Sequence, residues 1–125
     1  MSLINKFRIM IQTELDKIEG LDAGKIVSDD AIVEDQYHYG YEVSSSVISK
    51  NIGYDNDNLV LQVTGYLTTK GGDLETFDRY TDSICEALST LNIKYTTKDI
   101  TTYDTTKKTL ISGNVVLNTL DKTLR

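Results

Sequence analysis

The only histidine of this chain, His38, lies in the tyrosine-rich stretch DQYHYGYEVSSSV, residues 35–47, and is the first candidate for chemistry. A histidine can serve as a general base or as a metal ligand, and Glu42 lies on the same side of an extended strand. A zinc or iron site needs two or three further N, S or O ligands around the imidazole, which Glu42 alone does not supply. We therefore expect an exposed structural histidine, with no metal and no cofactor.

Cys85 is the only cysteine, so it forms no intramolecular disulfide and no cysteine-based metal framework. A catalytic thiol would need His38 as its partner, whereas Cys85 falls in an amphipathic helical pattern where a small apolar side chain packs well. The serines at 44–46 lack a G-x-S-x-G elbow, and TKGGD at 69–73 lacks the spacing of a phosphate-binding loop. The sequence thus predicts no catalytic residue and no enzyme.

Aromatic side chains that alternate along a strand can stack on nucleic-acid bases, but that mechanism needs positive charge to hold the phosphates. The neighbours here are Glu34, Asp35 and Glu42, and the net charge of the chain is −6. We expect no sequence-specific nucleic-acid binding.

The length of 125 residues is typical of one domain, which we assign to residues 1–125. No apolar run approaches the roughly 18 residues that a membrane span needs. The first twenty residues mix apolar and charged side chains, unlike a signal peptide. We expect a protein made in a cytoplasm, without a membrane partner.

Two helices follow from apolar residues at spacings of three and four. Ser2 caps the first, which runs to Ile18 before Gly20, and Asp73 caps the second, which ends near Asn92. We expect the second helix to pack its apolar stripe on the first helix and on the sheet. The predicted core is Phe7, Ile11, Leu61, Val63, Phe77, Ile84 and Leu88.

Alternating or apolar runs predict four strands, at 37–47, 59–67, 93–103 and 109–120, with a possible short strand at 25–27. Gly113 marks a possible bulge in the last of them. Strands separated by single helices favour an antiparallel sheet. The predicted fold is α+β, with two helices packed on one face of the sheet and the order α-β-β-α-β-β.

One parity of strand 37–47 carries Tyr37, Tyr39, Tyr41 and Val43. This face either covers the core beneath the helices or meets a partner chain, since tyrosine suits half-hydrated interfaces. The helices and strand 59–67 already supply aliphatic residues for a core, while the tyrosine hydroxyls need hydrogen-bond partners. We therefore predict that these four residues form an oligomer interface.

The layout of the chain resembles the tail terminator proteins of long-tailed bacteriophages, also called tail completion or head–tail joining proteins. The resemblance lies in the strand and turn VLQVTGYLTTKGG, the helix FDRYTDSICEAL and the closing strand TLISGNVVLNTL, and in the order of elements. It implies a non-enzymatic subunit of a homo-oligomeric ring, a hexamer, without a cofactor.

The same resemblance implies that the ring caps the tail tube and binds a tail-tube protein and a head-completion protein, while DNA passes through it. Its place would be the virion, at the end of the tail near the head, after assembly in the bacterial cytoplasm. Two alternatives stay open. A monomeric module that binds a small ligand or a protein would show a concave apolar groove, and a small enzyme would show a deep pocket collecting His38 with carboxylates.

Overall fold

The computed structural model describes residues 2–48, 58–100, 102 and 105–118, which form an α+β unit with two helices and a five-stranded mixed sheet. The helices are α1 (Leu3–Asp16) and α2 (Leu74–Thr90). The strands are β1 (Leu21–Gly24), β2 (Tyr37–Ile48), β3 (Asn58–Lys70), β4 (Lys94–Ile100) and β5 (Thr106–Asn118). Their order across the sheet is β1-β2-β3-β5-β4.

The order along the chain is α-β-β-β-α-β-β, so the predicted order and the purely antiparallel sheet are wrong, although the α+β class is confirmed. The additional strand is β1, which pairs parallel to β2 from Leu21 opposite Tyr37 to Gly24 opposite Gly40. The predicted strand at 25–27 lies just after it and is not a strand. Four residues are too few to show a periodic pattern, so only the pairing reveals β1.

Both predicted helix caps are present. The Ser2 hydroxyl accepts a hydrogen bond from the Asn5 amide and the Asp73 carboxylate accepts one from the Thr76 amide, each at 3.2 Å. Asn92 ends the second helix with φ of 61°, as expected of a residue in the left-handed region. The first helix ends at Asp16, earlier than predicted, and Ile18 packs against the core from the turn that follows the helix.

One cluster of buried side chains joins both helices to the sheet, which confirms the predicted core. Strand pairing places Val63 between Val43 and Gly113, so the residues of one parity share a face. We call this the core face. It contributes the buried residues Tyr39, Tyr41, Leu61, Val63, Leu67 and Ile111. Gly113 pairs in continuous register with both neighbouring strands, so the predicted bulge is absent.

The opposite parity forms the second face, part of which is covered by residues 25–36, the crossover segment. A Cβ on Gly40 would lie 2.7 Å from the Ile26 Cα, so this segment passes too close for any larger residue. Further along the second face, Lys108 contacts Asp29 at 3.0 Å and lies over the Tyr66 ring. Beyond this cover the second face exposes Val116 beside a larger set of polar residues, which are Glu42, Ser44, Gln62, Thr96 and Asn114.

Candidate assembly interface

Tyr39 lies in the interior of the subunit, with no exposed area. Its hydroxyl donates a hydrogen bond to the Ile111 carbonyl at 2.8 Å, reaching across the intervening strand β3. The ring crosses Gly65, where a Cβ would come within 2.5 Å of the tyrosine Cζ. Burial raises the pKa of the Tyr39 hydroxyl well above its ordinary value, which is consistent with a neutral hydroxyl in the core.

Tyr41 is also buried, at 7% exposure, and its hydroxyl donates to the side-chain oxygen of Gln12 on α1. Its ring stacks on Tyr39 with 5.7 Å between centroids. This corrects the expectation that the rings and hydroxyls of Tyr39 and Tyr41 face a partner chain, although the backbone of Tyr41 lies just beyond the strand pairing with β1. Their hydroxyls find partners inside the subunit, so this part of the strand covers the core beneath the helices.

The other two residues of the predicted interface are half-buried. The Tyr37 ring packs against Tyr80 of α2 with 4.6 Å between centroids, which ties it to its own subunit. Val43 touches the edge of the core. Its strand position lies beyond the end of β1, so its contact with a partner stays a prediction.

His38 is buried, at 6% exposure, and this corrects the expectation of an exposed residue. Its Nδ1 lies 2.8 Å from an oxygen of Asp22 and its Nε2 lies 3.1 Å from the Lys25 carbonyl. The same Asp22 oxygen accepts a hydrogen bond from Gln36 at 2.9 Å. Both imidazole nitrogens are thus used to hold β1 and the crossover segment on β2. The strand pattern could not show this, because the cover comes from a separate segment.

Cys85 is buried on α2, as the helical pattern predicted. Burial, with a smaller contribution from the Asp82 charge, raises the pKa of its thiol to about 11, so the thiol is protonated at neutral pH. Within residues 2–48, 58–100, 102 and 105–118, no three His, Cys, Asp or Glu side chains are grouped to hold a metal ion. No helix in the same part of the chain has the length and apolarity to cross a membrane.

A cleft of about 870 Å³ lies between the end of α1 and the part of α2 from Arg79 to Thr90. Charged residues from both helices line it, including Glu14, Lys17, Arg79 and Glu86. His38 and Cys85 are not among its lining residues. The cleft therefore differs from both sites named for the alternatives, a pocket collecting His38 and a concave apolar groove.

Two strand edges, one on each side of the sheet, offer surfaces on which another chain can pair. β1 covers β2 only as far as Gly40, so residues 41–48 of β2, the β2 edge, pair with β3 alone in the described part of the chain. At the opposite side of the sheet, Lys94–Ile100 forms the β4 edge and pairs with β5 alone among the described strands. Unpaired backbone groups along such edges are templates for strand addition. The positions of these edges are determined by the order of the strands in the sheet, which the sequence pattern did not predict.

Comparison with protein-family models and with curated protein sequences finds no match for this chain.

Proposed function

We propose that this chain is the subunit of a homo-oligomeric ring, a hexamer, that caps the tail tube of a phage or prophage and joins it to the head. The observation that carries the proposal is the presence of two different strand edges, the β2 edge and the β4 edge, on opposite sides of one sheet. A head-to-tail contact between identical subunits needs two different surfaces, and it gives a ring when the rotation between neighbours closes. The resemblance to tail terminator proteins supplies the hexamer and the partners, which are a tail-tube protein and a head-completion protein.

We place both helices on the core face of the sheet, because Phe7 of α1 and Phe77 of α2 join one buried cluster with residues of that face. This arrangement leaves much of the second face polar. The net charge of −6 belongs to the chain as a whole and weighs against the retention of passing DNA, because negative charges repel the phosphates. The same charge supports the absence of sequence-specific nucleic-acid binding.

The test is to add the purified protein to cognate tail tubes during their polymerisation and to image the tube ends by electron microscopy. We expect a ring on one end of each tube and a fixed tube length, whereas tubes polymerised alone should vary in length. Tubes with bare ends and an unchanged length distribution would contradict the proposal. A protein that stays monomeric both in the absence and in the presence of tail tubes would favour the binding-module alternative.

A further inference from the structure

The directions of the two edge strands determine how copies can join. β2 pairs antiparallel with β3, β3 with β5, and β5 with β4, so β4 runs opposite to β2 within one sheet. When two copies stand side by side with their core faces turned the same way, β4 of one copy is therefore antiparallel to β2 of the next. Antiparallel pairs are the commoner kind of strand pair. The two edges are thus compatible in direction.

The lengths of the two edges also match. The β2 edge begins at residue 41, where the cover by β1 stops, and the β4 edge spans Lys94–Ile100, seven residues. Strands of five or six residues are typical of sheets. A pairing of 41–46 with 94–99 uses nearly all of the β4 edge and stops at Asp99, because Gly40 already pairs with Gly24 of β1.

The faces of the sheet restrict the register of this pairing. Thr97 pairs with Ile111 and Tyr95 with Gly113, so the odd-numbered residues of β4 belong to the core face, as Val43 does on β2. A slip of one residue would place every side chain on the wrong face, so odd residues must meet odd residues. The registers that remain possible differ from one another by steps of two residues.

Charge selects among these registers. Glu42, Lys94 and Lys98 are exposed on the second face, and none of them forms an ion pair within the described residues. The register with Glu42 opposite Lys98 pairs opposite charges and uses six residues of each edge. A slip of two in one direction places Glu42 opposite Ile100 and removes its pairing with a lysine, and the other slip leaves only four paired residues.

We propose that neighbouring copies of this chain join through these edges, with residues 41–46 of one copy pairing antiparallel with residues 94–99 of the next. In this contact Glu42 lies opposite Lys98, Ser44 opposite Thr96 and Ser46 opposite Lys94. The proposal deepens the ring described above and rests on it, because it names the contact between subunits. The sheets of neighbouring copies then form one continuous sheet around the ring.

A disulfide between the edges tests the register. Antiparallel partners on one face have the spacing that a disulfide needs. We would introduce Ser44→Cys and Thr96→Cys together in a Cys85→Ala background, assemble the protein on tail tubes and oxidise it. We expect a ladder of covalent oligomers that reduction removes and that ends at the ring size.

Two matched controls accompany this test. The single variant Ser44→Cys should give no cross-link, and a strong dimer from it would show a two-fold contact between β2 edges, which overturns the proposal. The pair Ser44→Cys with Lys98→Cys reports a register slipped by two residues. If that pair cross-linked better than Ser44→Cys with Thr96→Cys, the proposed register would be wrong.

A charge exchange tests the ion pair independently. Glu42→Lys and Lys98→Glu each place like charges across the contact, and we expect each to weaken association about tenfold. The double variant restores opposite charges and should recover assembly, while Lys17→Glu, an exposed change just after the end of α1, should have no effect on assembly. Thermal midpoints measured on the unassembled variants show whether the subunit is folded. Folded single variants that assemble normally would overturn the pairing of Glu42 with Lys98.

The outcomes separate this contact from the function of the ring. Rings that cap tubes but give no Ser44–Thr96 cross-link would refute the edge contact and leave the capping function standing. The absence of any assembly, alone or on tubes, would refute both.

Discussion

Replacing Tyr39 with phenylalanine removes one buried hydroxyl and nothing else. That hydroxyl donates to the Ile111 carbonyl at 2.8 Å from a side chain without exposed area. The carbonyl loses this donor in the variant, and no water can replace it without opening the core. We therefore expect Tyr39→Phe to destabilise the subunit.

The magnitude follows from the hydrogen bond and the chain length. A buried hydrogen bond of this kind contributes about 1 kcal/mol net. An unfolding entropy of about 2.1 cal/mol/K per residue gives about 0.26 kcal/mol/K for 125 residues, so the thermal midpoint should fall by about 4 °C. The matched control is Tyr95→Phe, because the Tyr95 ring is 41% exposed on the β4 edge. We expect no change in the midpoint for that variant.

The same variant tests the pH dependence of stability. Burial raises the pKa of Tyr39 in the folded state, whereas an unfolded tyrosine ionises near its ordinary value of 10.0. Above about pH 10 the unfolded state therefore loses protons that the folded state keeps, and stability falls as the pH rises. Tyr39→Phe removes this contribution, so its stability should fall less steeply between about pH 10 and 11 than that of the parent protein.

Differential scanning calorimetry or thermal circular dichroism measures both effects. An unchanged midpoint for Tyr39→Phe would refute the buried hydrogen bond. If the midpoint were unchanged and assembly were lost, the original interpretation of Tyr39 as an interface residue would be correct, and its assignment to the core would be wrong.

Two further substitutions and one labelling experiment test the core and the second face. Leu88→Ala should lower the free energy of unfolding by about 2–5 kcal/mol, because Leu88 is fully buried. Chemical denaturation measures this change, and an unchanged denaturation midpoint would contradict the packing of α2. His38→Ala should cost about 1–3 kcal/mol, since it leaves the Lys25 carbonyl without the imidazole, and unchanged stability would contradict the contacts of His38. The Cys85 thiol should react with iodoacetamide at pH 8 about 100-fold more slowly than an ordinary thiol, because its pKa of about 11 leaves little thiolate. Equal reaction rates in the native and the urea-unfolded protein would contradict the burial of Cys85.

The sequence predicted the features that depend on neighbouring residues. Ser2 and Asp73 cap their helices through amides three residues ahead, so the pattern and the contact lie within one turn. The strand at 59–67 was found because its apolar residues alternate over its length, and it lies within β3. Its central place in the sheet also agrees with its apolar composition.

The sequence did not predict features that depend on distant segments. His38 is buried because residues 25–36 cross the second face, and a strand pattern cannot show what covers it. The hydroxyl of Tyr39 finds its acceptor in Ile111, 72 residues away along the chain. In both cases the contact that buries the side chain comes from a segment outside its own strand, which a local pattern does not report.

The contact of Tyr39 with Gly65 also restricts how the chain can evolve. The ring occupies the space that any side chain at position 65 would need, and a Cβ there would lie 2.5 Å from it. An aromatic residue at position 39 therefore requires a glycine at position 65. We expect related sequences to change these two positions together, with a residue larger than glycine at 65 only where 39 has become smaller.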